Sequence, residues 1–221
     1  LESFKTLKVS DLSRESISAN SENIQDELAL TKENATQKAL VCFTSGSAGA
    51  MKGIRFSHFI LFYRISREVV SYPFNDSEHN CVFKTSTSFI DHVNELWCPL
   101  VNSKTLFVMS DEDPISLIWL LEEKNVQRIV LVPSLLQNIL TKLNEMLENP
   151  RRDLEPRKWV TKRNQNIANS LLDTTNSSKL LLSNVRLWIS SGDVLINDLA
   201  KNFFSYYEQN PGGNMLVNCY G

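Results

Sequence analysis

Short, nearly continuous apolar runs recur along the chain at Lys38–Phe43, Asn80–Lys84, Thr105–Met109, Arg128–Val132, Val185–Ser190 and Asn214–Asn218. They are rich in β-branched and aromatic residues, which predicts strands buried on both faces, as in a parallel sheet. Between them the apolar positions fall at helical spacing. The pattern predicts a helix over His58–Ser71 and another over Pro114–Lys124, with Asp113 as N-cap and Pro114 in the first turn. A third is predicted over Leu135–Leu147, capped by Ser134, with Leu136, Ile139, Leu140 and Leu143 on one stripe. A fourth runs over Asp198–Glu208, capped by Asn197. Strands and helices that alternate in this way predict an α/β fold of mostly parallel sheets with flanking helices and right-handed crossovers.

Two stretches break the alternation. Residues 1–37 are polar and too poor in apolar positions to make a core, which suggests a leader or linker segment. Residues 149–183 carry the charged run PRRDLEPRKWVTKRNQN and then DTTNSS. They read as a polar insertion, either a solvated loop or a basic patch built from Arg151, Arg152, Arg157, Lys158, Lys162 and Arg163. The sequence starts without Met and stops after the apolar run Met215–Tyr220, so a piece of a longer chain is expected.

Bulk properties narrow the class. With 221 residues, 42% of them hydrophobic and 22% charged, the chain can bury a core without staples. A net charge of -2 and a pI near 6.0 give no reason to expect a nucleic-acid or anionic-membrane partner. No apolar run is long enough to span a bilayer as a helix. Cys42, Cys81, Cys98 and Cys219 show no CxxC spacing, and three sit in apolar runs, as free thiols in a reducing cytoplasm would.

The chemistry concentrates in Leu40–Gly53, whose core reads Thr44-Ser45-Gly46-Ser47-Ala48-Gly49-Ala50-Met51-Lys52-Gly53. A buried strand leads into small residues and hydroxyls, then a lysine, then a helix. Gly46, Gly49 and Gly53 let the backbone curl so that successive N–H groups face an anion. Thr44, Ser45 and Ser47 add hydroxyl donors, and Lys52 adds positive charge. The spacing is neither that of a Walker loop nor that of a Rossmann fingerprint. A plain glycine-serine turn has the same composition, so order within the loop has to decide.

That order resembles the phosphate loop of the adenylate-forming (AMP-binding) superfamily, usually TSGSTGxPKG. Ala48 stands where Thr is usual and Met51 where Pro is usual, which loosens the turn and removes one hydroxyl. The resemblance continues through Phe83–Leu100, FKTSTSFIDHVNELWCPL, which is similar to the family's substrate-pocket segment. In peptide-synthetase domains an Asp directly after the Phe holds the substrate amine. Here Ile90 has that place and Asp91 follows it, which would suit an amine one carbon farther from the carboxyl group, as in β-alanine. The alternative is Asp91 as the N-cap of a helix from His92 onward. Gln127–Leu136, Ser190-Ser191-Gly192-Asp193 and Asn218-Cys219-Tyr220-Gly221 resemble later family segments. The wording is nearest to Ebony-type synthetases and nonribosomal peptide synthetase adenylation domains, over about residues 38–221 apart from the insertion.

The resemblance implies part of the large N-terminal domain of an adenylating ligase, without its C-terminal small domain and with no catalytic residue inside the piece. Attack of a substrate carboxylate on the α-phosphorus of ATP would release pyrophosphate. Thr44, Ser45, Gly46, Ser47, Gly49, Lys52 and Gly53 would hold the phosphates. Gly192, Asp193, Asn218, Tyr220 and Gly221 would border the adenine, Tyr220 alternatively being a core residue. Phe89, Asp91 and His92 would line the acid pocket. Mg2+ would accompany ATP, and a phosphopantetheine carrier domain of the same parent chain would accept the acyl group. A noncatalytic relic of the same fold and an acyl-CoA synthetase are the rival readings. His58, His79 and His92 lack ligand spacing, so no zinc is expected. His58 fits a capping or packing role, and Trp97, Trp119 and Trp188 fit a core.

Overall fold

A computed structural model describes residues 6–7, 35–44, 52–109, 113–148, 180–208 and 213–219. The chain divides into two units. One comprises Leu1–His79 and Phe83–Val108, and the other Asn80–Val82 and Met109–Gly221.

The first unit is organised around an antiparallel hairpin, β2 (Lys38–Thr44) with β3 (Lys52–Ser57). Helix α1 (His58–Ser71) follows at once, and its first turn is closed by Ser57, whose Oγ accepts from the Ile60 N–H at 3.3 Å. This serine cap satisfies one of the donors that a helix start leaves unpaired. Helix α1 packs on both hairpin strands and on helix α2 (His92–Val101). Strand β5 (Thr105–Val108) packs on α2 and pairs antiparallel with β1 (Thr6–Leu7). The polar leader therefore contributes a two-residue strand.

Strand β2 departs from the expectation of a strand buried on both faces of a parallel sheet. Its partner is antiparallel, and Val41 and Phe43 are exposed while Cys42 is buried. One face is packed and the other is open, as antiparallel pairs allow. Strand β3 lies where the pattern predicts none. Lys52 leads into a strand and only then into a helix.

The second unit matches the parallel-sheet expectation. Strands β6 (Arg128–Leu131), β7 (Leu187–Ser190) and β8 (Met215–Asn218) pair in parallel in that order. All four residues of β7 are buried. Helices α3 (Pro114–Glu123), α4 (Pro133–Glu148) and α5 (Asn197–Tyr207) accompany the sheet, with α3 on α4 and α4 on α5. Asp113 caps α3, accepting from the Ser116 N–H at 3.1 Å. The stripe of Leu136, Ile139, Leu140 and Leu143 on α4 is fully buried, each side chain contributing roughly 1.5–3 kcal/mol.

Two caps differ from expectation. Helix α4 begins at Pro133, so Ser134 lies inside it, with Val132 O accepting from the N–H groups of Leu135 and Leu136. Proline at the first helical position costs no hydrogen bond, which is why the helix can start there. Helix α5 begins at Asn197 with Ile196 in the cap position. The polar stretch 149–179 and the basic residues within it lie outside the described residues. Trp188 is buried, with Phe203 edge-on at 5.5 Å and its Nε1 donating to Val185 O at 2.9 Å. Trp119 packs against the same core. Trp97 does not fit the core expectation, being 45% exposed on α2.

Candidate functional site

The hairpin register sets Thr44 opposite Lys52 and Phe43 opposite Gly53. Ser45, Gly46, Ser47 and Gly49, with Ala48 and Met51, lie outside the described residues, as do Tyr220 and Gly221. What the structure establishes is how the ends of the Ser/Gly segment are held. Thr44 and Lys52 are backbone partners at the tip of a two-stranded ladder, and Lys52 is exposed there. Gly53 has a packing reason. A Cβ there would meet the Phe43 ring at 3.3 Å and Val41 at 3.6 Å. The Phe43 side chain lies over the glycine, as aromatic residues do across a strand pair.

The pocket segment lies in the same unit. From Ser86 to Asp91 the chain turns, with the Phe89 N–H donating to Ser86 O and the His92 N–H to Phe89 O. Phe89 is exposed, whereas His92 is buried. The Nδ1 of His92 lies 2.7 Å from Phe89 O. A carbonyl can only accept, so Nδ1 carries the proton in that contact.

Asp91 occupies the cap position of α2, but its side chain makes no capping bond. Its Oδ1 instead accepts from Arg64 Nη2 at 3.1 Å, while Arg64 Nε donates to Asn94 Oδ1 at 3.1 Å. Asp91 thus stands where the capping alternative puts it, at the start of α2, with its carboxylate turned to Arg64 instead of to a capping bond. Arg64 also influences the neighbouring strand. Burial pushes the Cys42 thiol above its ordinary value, and the Arg64 charge opposes part of that rise.

Glu95, one turn along α2, is buried. It binds the Lys84 ammonium at 2.8 Å and accepts from the N–H groups of Lys84 and Thr85 at 3.0 and 2.8 Å. One carboxylate therefore ties Lys84 and Thr85, which follow β4 (Asn80–Phe83), to α2. Buried charge is tolerable only when paired and hydrogen-bonded in this way. Lys84 and Glu95 stand at marked positions of the quoted motif and Asn94 beside them, but the motif does not show what they bind. Arg64 has no sequence signal at all, because its partners are about thirty residues away.

In the second unit, the two candidate adenine segments meet at the C-terminal edge of the parallel sheet. Ser190 pairs with Asn218, and the Cys219 N–H donates to Ser190 O at 2.7 Å. The Ser191 N–H donates to Leu131 O at 2.9 Å. Gly192 follows with φ of 83°, a left-handed conformation that disfavours a side chain. Asp193 Oδ1 accepts from the Val194 N–H at 2.7 Å. Gly192 and Asp193 therefore follow the end of β7, whose last residue Ser190 pairs with Asn218 at the end of β8, the end of the sheet at which open α/β sheets bind ligands. His58 is exposed at the start of α1, and its backbone N–H donates to Gln37 O.

The family model described as AMP-binding enzyme matches residues 3–221. The chain is 30% identical over 219 residues to the beta-alanyl-bioamine nonribosomal peptide synthetase ebony of Drosophila melanogaster, covering 98% of this chain and 22% of that protein. It is 34% identical over 110 residues to the vanchrobactin synthetase VabF of Vibrio anguillarum, covering 48% of this chain and 4% of that one. Among solved structures, the Vibrio cholerae adenylation domain AlmE, in complex with glycyl-adenosine-5'-phosphate, aligns with a TM-score of 0.59. The identity is 19%, over 90% of this chain and 30% of that chain. VinN in complex with L-aspartate aligns with a TM-score of 0.59 at 17% identity, over 94% of this chain and 44% of that chain. The structural likenesses concern the fold. The chain spans about a fifth of the Drosophila relative's length.

Proposed function

The chain belongs to the AMP-binding enzyme family, and from that premise we propose that it supplies phosphate, nucleotide and substrate contacts in an enzyme that adenylates a small amino acid, with β-alanine as the favoured candidate. The carboxylate oxygen of the acid attacks the α-phosphorus of ATP, and the bond to the departing pyrophosphate breaks. The protein's task in such a step is placement and charge compensation. Lys52 and the backbone of Thr44–Gly53 oppose the β- and γ-phosphates. Gly192, Asp193, Asn218 and Tyr220 border the base, and Asp91 with Phe89 and His92 lines the acid site. Mg2+ enters with the nucleotide in this reading. Among the described residues no three His, Cys, Asp or Glu side chains gather to hold a metal ion. The acyl group then passes to a phosphopantetheine carrier of the same protein, in the cytoplasm. Among the described residues no helix is long and apolar enough to cross a membrane.

The observation that carries this reading is the hairpin register, which holds the two ends of the Ser/Gly segment together with Lys52 at the tip. β-Alanine is favoured by the shifted Asp91 and by the name of the Drosophila relative. ATP–pyrophosphate exchange by the complete protein tests it. Exchange that depends on β-alanine, and falls on the order of 100-fold in Lys52→Ala, is the expected result. No exchange with any acid, in a protein shown to be folded, overturns the reading and leaves a noncatalytic relic. Exchange with simple carboxylic acids and no need for an amine instead identifies an acyl-CoA synthetase-like activity.

A further inference from the structure

Arg64 reaches from α1 to two positions of the pocket segment, Asp91 and Asn94. Its Nη2 and Nε each make one bond at 3.1 Å, to Asp91 Oδ1 and Asn94 Oδ1 respectively. Two donors at different corners of a rigid planar group fix the plane of that group. The guanidinium in turn fixes the rotation of the Asp91 carboxylate. The helix start does not hold it through a capping bond, since Asp91 makes none. The Arg64 side chain is 36% exposed and that of Asp91 13%, so the pair sits at the boundary between packed interior and solvent.

We propose that Arg64 is a positioning residue that sets amine specificity: by holding Asp91 Oδ1 it fixes how far the carboxylate stands from the reacting carboxyl group. This rests on the reading of Asp91 as the amine contact. A carboxylate offers about four acceptor sites, so one guanidinium bond and one substrate ammonium are compatible on the same group. The positive charge of Arg64 weakens the pull of Asp91 on an ammonium. What it adds is a fixed distance, and a misplacement of about 1 Å can cost a hundredfold in rate. A β-amino acid of matching length gains from that rigidity, and an α-amino acid does not.

Pyrophosphate exchange by the complete protein, with β-alanine, α-alanine and propionate as acids, provides the test. Arg64→Gln is expected to raise KM for β-alanine with a smaller change in kcat, and to lower the β-alanine to α-alanine ratio of kcat/KM about tenfold. Propionate, which has no amine, keeps its rate. Asn94→Ala, which frees the other corner of the guanidinium, shifts the ratio in the same direction and keeps the test open if Arg64→Gln does not fold. Equal losses with all three acids, or an unchanged ratio in a folded variant, overturn the proposal. Asp91→Asn separates the two levels. If it leaves the preference for β-alanine over propionate intact, the amine reading fails. If it abolishes that preference while Arg64→Gln and Asn94→Ala leave the ratio alone, only the positioning role fails.

Discussion

Tyr207 shows how a single hydroxyl can work against the core it sits in. Its ring packs 4.9 Å from Phe203 and 6.0 Å from Trp188, yet its buried oxygen has no hydrogen-bond partner among the described residues. An unmet buried hydroxyl costs about 1 kcal/mol or more. Tyr207→Phe is therefore expected to stabilise the protein by about 1 kcal/mol at neutral pH, as measured by urea unfolding. Its titration adds a second readout. Burial, the neighbouring Tyr206 and the Glu122 charge push the Tyr207 phenol well above its ordinary value of 10.0. Burial and Glu122 do the same to Tyr206. In the unfolded chain both phenols titrate near 10. Above that pH the unfolded state loses protons that the folded state keeps, so stability present below pH ~10 declines as pH rises. Tyr207→Phe makes this alkaline decline shallower. A variant with an unchanged slope would show that other groups govern it.

At the scale of elements, Glu95 fastens Lys84 and Thr85, which follow β4, to α2. Glu95→Ala removes the partner of a Lys84 ammonium that is only 10% exposed and leaves two backbone N–H groups without their acceptor. Breaking a buried pair from one side costs about 3–5 kcal/mol. Adding Lys84→Met to Glu95→Ala should recover part of that, since no charge is then stranded, but not the loss from the two N–H groups. Urea midpoints of the three variants check the order. The elements differ in how plainly the sequence shows them. Helix α1 and the stripe on α4 are plain because apolar spacing is a local property. Strand β3 is obscured although Ile54 and Phe56 alternate with charged or polar neighbours, a period-two signal hidden by the expectation of a helix after Lys52. Strand β2 has the expected range and different surroundings, because an apolar run does not reveal whether one face or both will be covered. Helix α4 starts two positions before the expected Leu135 because Pro133 can take the first helical position at no cost in hydrogen bonds.

For the molecule as a whole, binding at the hairpin tip should appear as stability. A ligand that binds only the folded state adds about 2.7 kcal/mol at a hundred times its Kd. ATP is expected to raise the thermal midpoint of the complete protein in a concentration-dependent manner, and Lys52→Ala to remove most of that shift. A shift that survives Lys52→Ala would place the nucleotide elsewhere. Family membership and α/β class are legible in residue order and spacing alone. The residues TSGSAGAMKG, FKTSTSF and SSGD carry the family resemblance in their order, and periodicity carries secondary structure, both within short windows. Three things depend on the fold. Parallel pairing of β7 and β8 sets Ser190, two residues before Gly192, beside Asn218. Antiparallel pairing of β2 and β3 sets Thr44 against Lys52. Packing of α1 on α2 delivers Arg64 to Asp91 and Asn94. A sequence motif specifies which groups are present within a few residues but not how its ends pair, as for Thr44 and Lys52, and a hydrogen bond or ion pair across twenty-seven or thirty residues, as for Arg64, exists only once packing has fixed both of its ends.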